Sequence, residues 1–295
     1  MPLIVGSVMA ILCILKDNSF KMAESEYKNI ENNDIIIEYN LDRLCDEALS
    51  GHVSHVYCEK GSCEVGFNGS VFILTEGNCM IVVNNRFVDY IKPDRTFKTM
   101  CIYLSFQYLC QCVTRSNFGI VGTIRLYSNP LFDLLPDESD ICRDNFKKYI
   151  ERVNRPYHFR EDMLASATQL FFLDFFEFHI RMYGNKELPE ATASIMRRFL
   201  SMLDAGEYLR NREVAYYADR LCVVPKYLSE VSRKVSGFGA NYWITRYTIQ
   251  DLRNHFRDRT QTVNDIAKKF HFSSVSYLNR YVQTHLGVAA AELRR

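Results

Sequence analysis

Ala218-Asp-Arg-Leu-Cys-Val-Val-Pro-Lys-Tyr-Leu228-Ser-Glu-Val-Ser-Arg-Lys-Val-Ser-Gly237 and Ala267-Lys-Lys-Phe-His-Phe-Ser-Ser-Val-Ser-Tyr-Leu278-Asn-Arg-Tyr-Val-Gln-Thr-His-Leu-Gly287 are two copies of one pattern. Their Tyr-Leu pairs and their closing glycines lie fifty residues apart. In each copy an apolar-periodic helix ends near Leu221 or Phe270, a tight connection follows, and a second helix is entered through Pro225 or Ser274. Proline has its φ pre-set for a first helical turn, and serine can cap one. Gly237 and Gly287 stand just past the last periodic residue, where a left-handed stop is cheapest for glycine. Two short helices around a three- to four-residue turn make a helix-turn-helix, whose second helix is the right size for the DNA major groove.

Further residues fall in register with this repeat. Tyr217-Ala218-Asp219-Arg220-Leu221 precedes Tyr227-Leu228-Ser229, Trp243-Ile244 with Arg246 follows, and Ile266-Ala267, Phe272, Tyr277, Gly287 and Leu293-Arg294 complete the order. That order resembles the AraC/XylS family of bacterial transcription regulators, over about a third of the chain from Ile195 onward. The resemblance implies two helix-turn-helix units joined by a long helix, a cupin-like sensing barrel ahead of them, and dimerisation through helices between the two. The sequence departs from the family at His271, where glycine is usual, at Leu278 for a usual Phe, and at Val288-Ala289-Ala290 for Thr-Pro. A side chain at a left-handed turn position carries strain of roughly 1 to 3 kcal/mol, although His is among the more tolerant.

By the same resemblance, early residues of each second helix face the groove. These are Lys226, Ser229 and Glu230 in the first unit, and Ser274, Val275, Ser276, Asn279 and Arg280 in the second. Their chemistry suits base edges: Arg280 for guanine O6/N7, Asn279 for adenine, Glu230 for the cytosine amino group and Val275 for a thymine methyl. Arg233 and Lys234, a turn further on, suit phosphates. Tyr227, Leu228, Val231, Tyr277 and Leu278 read as the apolar packing stripe. Asp219, Arg220, Lys268 and Lys269 lie on the preceding helices, facing DNA backbone or water.

Charge is divided along the chain. Residues 190–295 hold 17 Lys+Arg against 10 Asp+Glu, a net of +7, so the overall +1 leaves −6 for residues 1–189. A basic module behind an acidic one fits a polyanionic partner for the former alone. The ten cysteines form no C-x-x-C pair, and the closest spacing is Cys110-Gln-Cys112. Closely paired zinc thiolates and a small disulfide scaffold are both a poor fit, which points to reduced thiols and a cytoplasmic protein.

The first 15 residues are apolar, with no Lys or Arg before Lys16. The run is too short to span a bilayer and lacks a charged signal n-region. It reads as a buried strand or as an over-extended gene start, with Met22 as the natural beginning. From Asp34 to Phe106, short β-branched and alternating runs are punctuated by turns: Asp34-Ile-Ile-Ile-Glu-Tyr, residues 53–59, a hairpin at Asn68-Gly69, residues 80–88, and residues 99–104. This pattern predicts a small β-sandwich or barrel. Two helices follow, over 139–153 and 158–183. The run Leu170-Phe-Phe-Leu-Asp-Phe-Phe is apolar on more than one face. One face could cover the barrel and another meet a second subunit, with Leu170, Phe171, Phe175 and Phe178 as the dimerisation residues.

The fold class expected is therefore α+β, with an N-terminal β-barrel over 1–136, a helical dimerisation segment over 137–184, a linker at 185–190 and an all-α double helix-turn-helix domain over 191–295. The function expected is a sequence-specific DNA-binding transcription regulator. Its expected partners are double-stranded DNA, a second copy of the chain, a small-molecule effector in the barrel and RNA polymerase, with no membrane and no cofactor. Three alternatives stay open at this stage. A regulator controlled by a protein partner would look the same in sequence. A cupin-type enzyme fused to a DNA-binding domain would need inward His ligands, yet no His lies between His55 and His158. A methyl-accepting repair regulator would need a zinc-tuned thiolate.

Overall fold

The computed structural model describes residues 34–112, 120–156, 158–184 and 188–294. The apolar stretch 1–15, the alternative start at Met22 and residues 185–187 of the expected linker lie outside the described residues. The chain divides into two compact units, one ending at Leu188 and the other beginning at Pro189. The helices expected from residue 137 belong to the first unit.

In the first unit seven strands come first: β1 (Ile35–Glu38), β2 (His52–Lys60), β3 (Ser62–Phe67), β4 (Ser70–Thr75), β5 (Cys79–Val82), β6 (Val88–Pro93) and β7 (Lys98–Ser105). Then come α1 (Phe106–Cys112), α2 (Ile120–Ser128), the short β8 (Leu131–Phe132), α3 (Pro136–Asn154) and α4 (Arg160–Tyr183). The α+β class expected from the sequence is the one that forms, with a correction. The described strands make two open antiparallel sheets, ordered β1-β7-β2-β5-β8 and β4-β3-β6, in place of a closed barrel. The reason lies at a corner. Gly61, at φ +76°, turns the chain out of β2 and into the second sheet, and an added Cβ there would stand 2.8 Å from Phe97 N and 2.7 Å from Thr96 Oγ1. Only glycine combines that dihedral with that approach.

The hairpin at Asn68-Gly69 forms as its sequence predicts. Both residues have positive φ, +56° and +76°, and the ladder closes at Phe67↔Ser70. The strand expected to run through residues 80–88 is interrupted at Val82. Asn84 instead accepts the Arg86 N–H at 3.1 Å and starts a 3-10 turn over Asn85–Phe87. A short amide side chain offers the backbone a local partner that competes with the ladder. Helices α1 and α2 and strand β8 were not anticipated.

Strand β2 is buried on both faces from His52 to Cys58. One face is covered by α4: the ring of His55 sits 5.4, 5.1 and 5.8 Å from those of Phe171, Phe172 and Phe175. This packing divides the apolar run of α4. Phe171, Phe175 and Phe178 are buried within the unit, Phe171 against Phe146 at a ring distance of 5.1 Å, Phe175 against Phe132 at 5.4 Å, and Phe178 against Phe175 at 5.9 Å. Leu170 remains 58% exposed. A buried hydroxyl cluster joins the helices. Thr168 donates to the Leu164 carbonyl at 2.8 Å and so receives the hydroxyls of Tyr108 and Tyr149, at 3.0 and 2.8 Å.

The second unit is all helical: α5 (Glu190–Asp204), a 3-10 turn (Glu207–Leu209), α6 (Val214–Arg220), α7 (Pro225–Ser236), α8 (Ala240–Arg257), α9 (Val263–Lys269), α10 (Val275–Leu286) and a closing 3-10 turn (Glu292–Arg294). The long α8 forms the spine. Its Trp243, Ile244, Tyr247, Leu252 and Phe256 are buried, as are Met196, Phe199, Leu200 and Leu203 of α5. Burying each such aliphatic or Phe side chain stabilises by about 1.5 to 3 kcal/mol. Polar tips are satisfied: Trp243 Nε1–H donates to Ser236 Oγ at 2.9 Å, and the Tyr247 and Tyr208 hydroxyls donate to Asp204 and Asp251 at 2.7 and 2.9 Å.

Candidate nucleic-acid interface

The repeated pattern folds into repeated geometry. Helix α6 ends where Cys222 N–H donates to Asp219 O and Val223 N–H to Ala218 O, both at 2.9 Å. Helix α9 ends the same way, with His271 N–H on Lys268 O at 3.0 Å and Phe272 N–H on Ala267 O at 2.9 Å. These are paired five-to-two and six-to-one bonds, which require a left-handed residue between the helices. Cys222 and His271 supply it at φ +57° and +50°. The sequence marks His271 for this position, and Cys222 holds the identical one in the first turn without a sequence signal of its own.

Each second helix starts as its sequence indicates. Pro225 occupies the first turn of α7, and Ser274 caps α10 by accepting the Tyr277 N–H at 3.1 Å. One lone pair of Ser274 is thus spent on the helix, and its hydroxyl proton stays available. Helix α9 is capped by a reciprocal pair, in which Thr262 Oγ accepts Asp265 N–H and the Asp265 carboxylate accepts Thr262 N–H, each at 3.1 Å. The Thr262 hydroxyl, which donates to the same carboxylate at 2.5 Å, and after it the Thr262 N–H hold the Asp265 carboxyl below its usual range.

With the caps and packing stripes fixed, the remaining side chains have determined places. Lys226, Glu230, Arg233 and Lys234 of α7 are exposed and Ser229 is half-buried. On the second copy Ser274, Ser276, Asn279 and Arg280 are exposed and Val275 is half-buried. Leu228, Val231 and Leu278 face inward as expected. Tyr227 and Tyr277 do not: each is 42% exposed, at equivalent places in the two copies, and the Arg280 guanidinium lies 5.5 Å from the Tyr277 ring. They join the candidate surface. Their aromatic type made them look like core, and only the position of the buried leucine beside each could have corrected that. Asp219, Arg220, Lys268 and Lys269 are exposed on α6 and α9, and the Arg220 guanidinium donates to the Tyr216 hydroxyl at 2.9 Å.

The first unit holds two further features. An open groove of ≈ 500 Å3 runs between α3 and α4, with Lys148 and Arg152 on one side and Met163, Ser166 and Leu170 on the other. Ser54 and Tyr103 are paired across β2 and β7 and are buried; the Ser54 hydroxyl meets no hydrogen-bond partner, and the Tyr103 hydroxyl meets only the weakly bonding thiol of Cys101. Among the described residues no three His, Cys, Asp or Glu gather as a metal site, and no helix is long and apolar enough to cross a membrane.

Comparison with known proteins places a helix-turn-helix domain at residues 217–295. No curated protein matches the chain in sequence. Among solved structures the chain is similar to unsaturated-fatty-acid-bound wild-type ToxT from Vibrio cholerae strain SCE256, with 13% identity, 90% of this chain and 96% of that chain covered, and a TM-score of 0.43. It is similar to ToxT from Vibrio cholerae O395 at 14% identity over 82% of this chain and 88% of that one, with a TM-score of 0.44. The AraC-like transcriptional activator CuxR is matched at 9% identity over 74% of this chain and 77% of that one, with a TM-score of 0.35.

Proposed function

We infer, from the helix-turn-helix domain of the AraC type at residues 217–295, that this chain is a sequence-specific DNA-binding transcription regulator acting in the cytoplasm. The observation that carries the reading is the doubled recognition helix. One compact unit presents α7 and α10 through identical left-handed turns, each with an exposed polar face, on a module of net charge +7. Lys226, Ser229, Glu230, Tyr227, Ser274, Val275, Ser276, Asn279, Arg280 and Tyr277 are assigned to the grooves, and Arg233 and Lys234 to phosphates. No catalytic role is assigned.

A second copy of the chain is the partner proposed for α4. Its exposed residues Met163, Ser166, Leu170, Leu173, Glu177 and Ile180 recur at alternating spacings of three and four, as in a coiled-coil seam. The stripe is self-complementary. An antiparallel copy centred between Phe171 and Phe172 sets Met163 against Ile180, Leu170 against Leu173, and Ser166 against Glu177. Ser166 lines the groove that carries Lys148 and Arg152, so Glu177 of the second copy meets two cations there. A small polar effector is proposed between the sheets of the first unit, where the Ser54 hydroxyl would gain a partner and the Tyr103 hydroxyl a stronger one than the Cys101 thiol. Leaving such groups unsatisfied costs about 1 to 3 kcal/mol each. RNA polymerase is proposed as a further partner.

The test is selection of randomised duplexes with the full chain, followed by titration of the selected site at several salt concentrations. Log affinity should fall linearly with log salt, each neutralised phosphate adding roughly −0.9 to the slope. Failure to enrich any sequence, together with a slope near zero, would sink the reading.

A further inference from the structure

We propose that Arg212 is a positioning residue that sets the phase of the second recognition helix relative to the first, and through it the spacing of the two DNA segments that the chain reads. This rests on the DNA-binding reading above. Arg212 lies just ahead of α6, outside both copies of the repeated pattern. Its Nη1 donates to the carbonyls of Tyr208 at 3.2 Å and Leu209 at 3.1 Å, which end the 3-10 turn before the first helix-turn-helix. The same nitrogen donates to the carbonyl of Phe270 at 2.7 Å, at the C-terminal cap of α9 in the second helix-turn-helix. A cation is thus held between the negative ends of two helical segments, where carbonyls lacking helical partners accumulate.

The guanidinium carbon also lies 4.2 Å from the centre of the Phe272 ring. Phe272 follows the left-handed His271 in the second turn, and it packs against Tyr277 and Tyr281 of α10 at ring distances of 5.7 and 5.3 Å. The contact therefore reaches the recognition helix through one aromatic ring. No carboxylate pairs with Arg212 among the described residues, so its charge is given to carbonyls and aromatic faces. Burial pulls its pKa down and the nearby tyrosines Tyr281, Tyr277 and Tyr217 push it back up. Helix α8 also links the two halves, and Arg212 joins them by a second, direct route. Arg212 bridges 58 residues of chain with a short charge-assisted hydrogen bond, and the planar guanidinium fixes direction as well as distance.

The experiment uses the full chain and a duplex selected by the wild-type protein, remade with one base pair inserted or removed between the two contacted segments. Wild type should bind the selected spacing and reject the altered ones. Arg212→Met keeps an unbranched apolar stem over Phe272 but has no donor. It should lose roughly tenfold in affinity at the native spacing while losing much less at the altered ones, so that its spacing profile flattens. Arg212→Lys keeps the charge without the planar fork, is the safer variant for folding, and should give a profile between the two. A role in folding alone would lower affinity at every spacing by one factor. Parallel profiles for wild type and either variant, with helical circular dichroism intact, would overturn the proposal. Absence of wild-type binding to any duplex would instead remove the DNA-binding reading itself.

Discussion

Replacing His55 with leucine should stabilise the first unit and remove part of its sensitivity to acid. The imidazole is fully buried among Phe171, Phe172 and Phe175, and the backbone of Ile102 and Val53 approaches its ring nitrogens without a well-formed hydrogen bond. Burial lowers its pKa from 6.5 to about 3. The unfolded chain protonates this ring below pH 6.5 and the folded chain does not, so the unfolded state binds the extra proton. Stability therefore falls as pH drops from 6.5 toward 3 and is constant above that window. At pH 5.5 an unperturbed imidazole is about ten-to-one protonated, which costs the fold about 1.4 kcal/mol relative to pH 8. Nitrogens without a well-formed hydrogen bond add a penalty of about 1 to 3 kcal/mol at every pH, which leucine, of similar size, does not carry. His55→Leu should thus gain about 1 to 3 kcal/mol at pH 8 and about 1.4 kcal/mol more at pH 5.5. His179, held at about 4 by burial and by Arg125, keeps the remaining acid sensitivity. The two units can be followed separately. The buried thiols Cys58, Cys63, Cys79 and Cys101 report opening of the first unit to an acid-tolerant disulfide reagent, and Trp243, the single tryptophan, reports the second. Equal losses of thiol protection for wild type and variant between pH 8 and 5.5 in urea would refute the reasoning, as would a variant less stable than wild type at pH 8.

Leu170→Asp with Leu173→Asp should convert dimers to monomers in sedimentation while leaving thiol protection of the first unit intact, because both side chains are exposed. Unchanged dimers would remove α4 from the seam. Arg280→Ala should relax preference at one or two adjacent base pairs, a loss of about 1 to 3 kcal/mol of discrimination, whereas Arg233→Ala should weaken all sequences alike and reduce the salt slope by about one unit. A selected sequence logo unchanged by Arg280→Ala and altered by Lys226→Ala would transfer specificity to the first copy.

The second unit was legible because its signals are local. Pro225, Ser274, Gly237 and Gly287 mark helix ends by their own conformational preferences, and each does so in the structure. The first unit was legible only in part. The Asn68-Gly69 hairpin is local chemistry and was read correctly, whereas the passage of the chain between sheets at Gly61 depends on Thr96 and Phe97, over thirty residues away. The phenylalanines of α4 show the same limit. Periodicity identifies an apolar helix, but which face β2 occupies is decided by tertiary packing. That packing takes Phe171, Phe175 and Phe178 and leaves Leu170 and Leu173. Arg212 carried no signal at all, since an arginine between helices looks like solvated surface until its three carbonyls are seen.

The two left-handed turns bear on how the work divides between the recognition helices. Read from sequence, His271 alone departs from glycine, which would make the second copy the strained and looser half. In the structure Cys222 holds the same conformation in the first turn, with the same pair of backbone bonds, so strain does not distinguish the copies. Arg212 then adds a hydrogen bond and a ring contact to the second turn. What differs is the chemistry on the exposed faces. Beyond the groove-facing Lys226, Ser229 and Glu230, helix α7 offers the cations Arg233 and Lys234, while α10 offers Ser276, Asn279 and Arg280 beside Tyr277 and the methyl groups of Val275. Cations spread along a helix suit phosphates, and phosphate contacts carry salt-dependent affinity without sequence. Amide, guanidinium and methyl groups in the first turns of a helix suit base edges. On the proposed assignments α7 contributes more of the affinity and α10 more of the discrimination, and the tie from Arg212 falls on the copy whose alignment matters most.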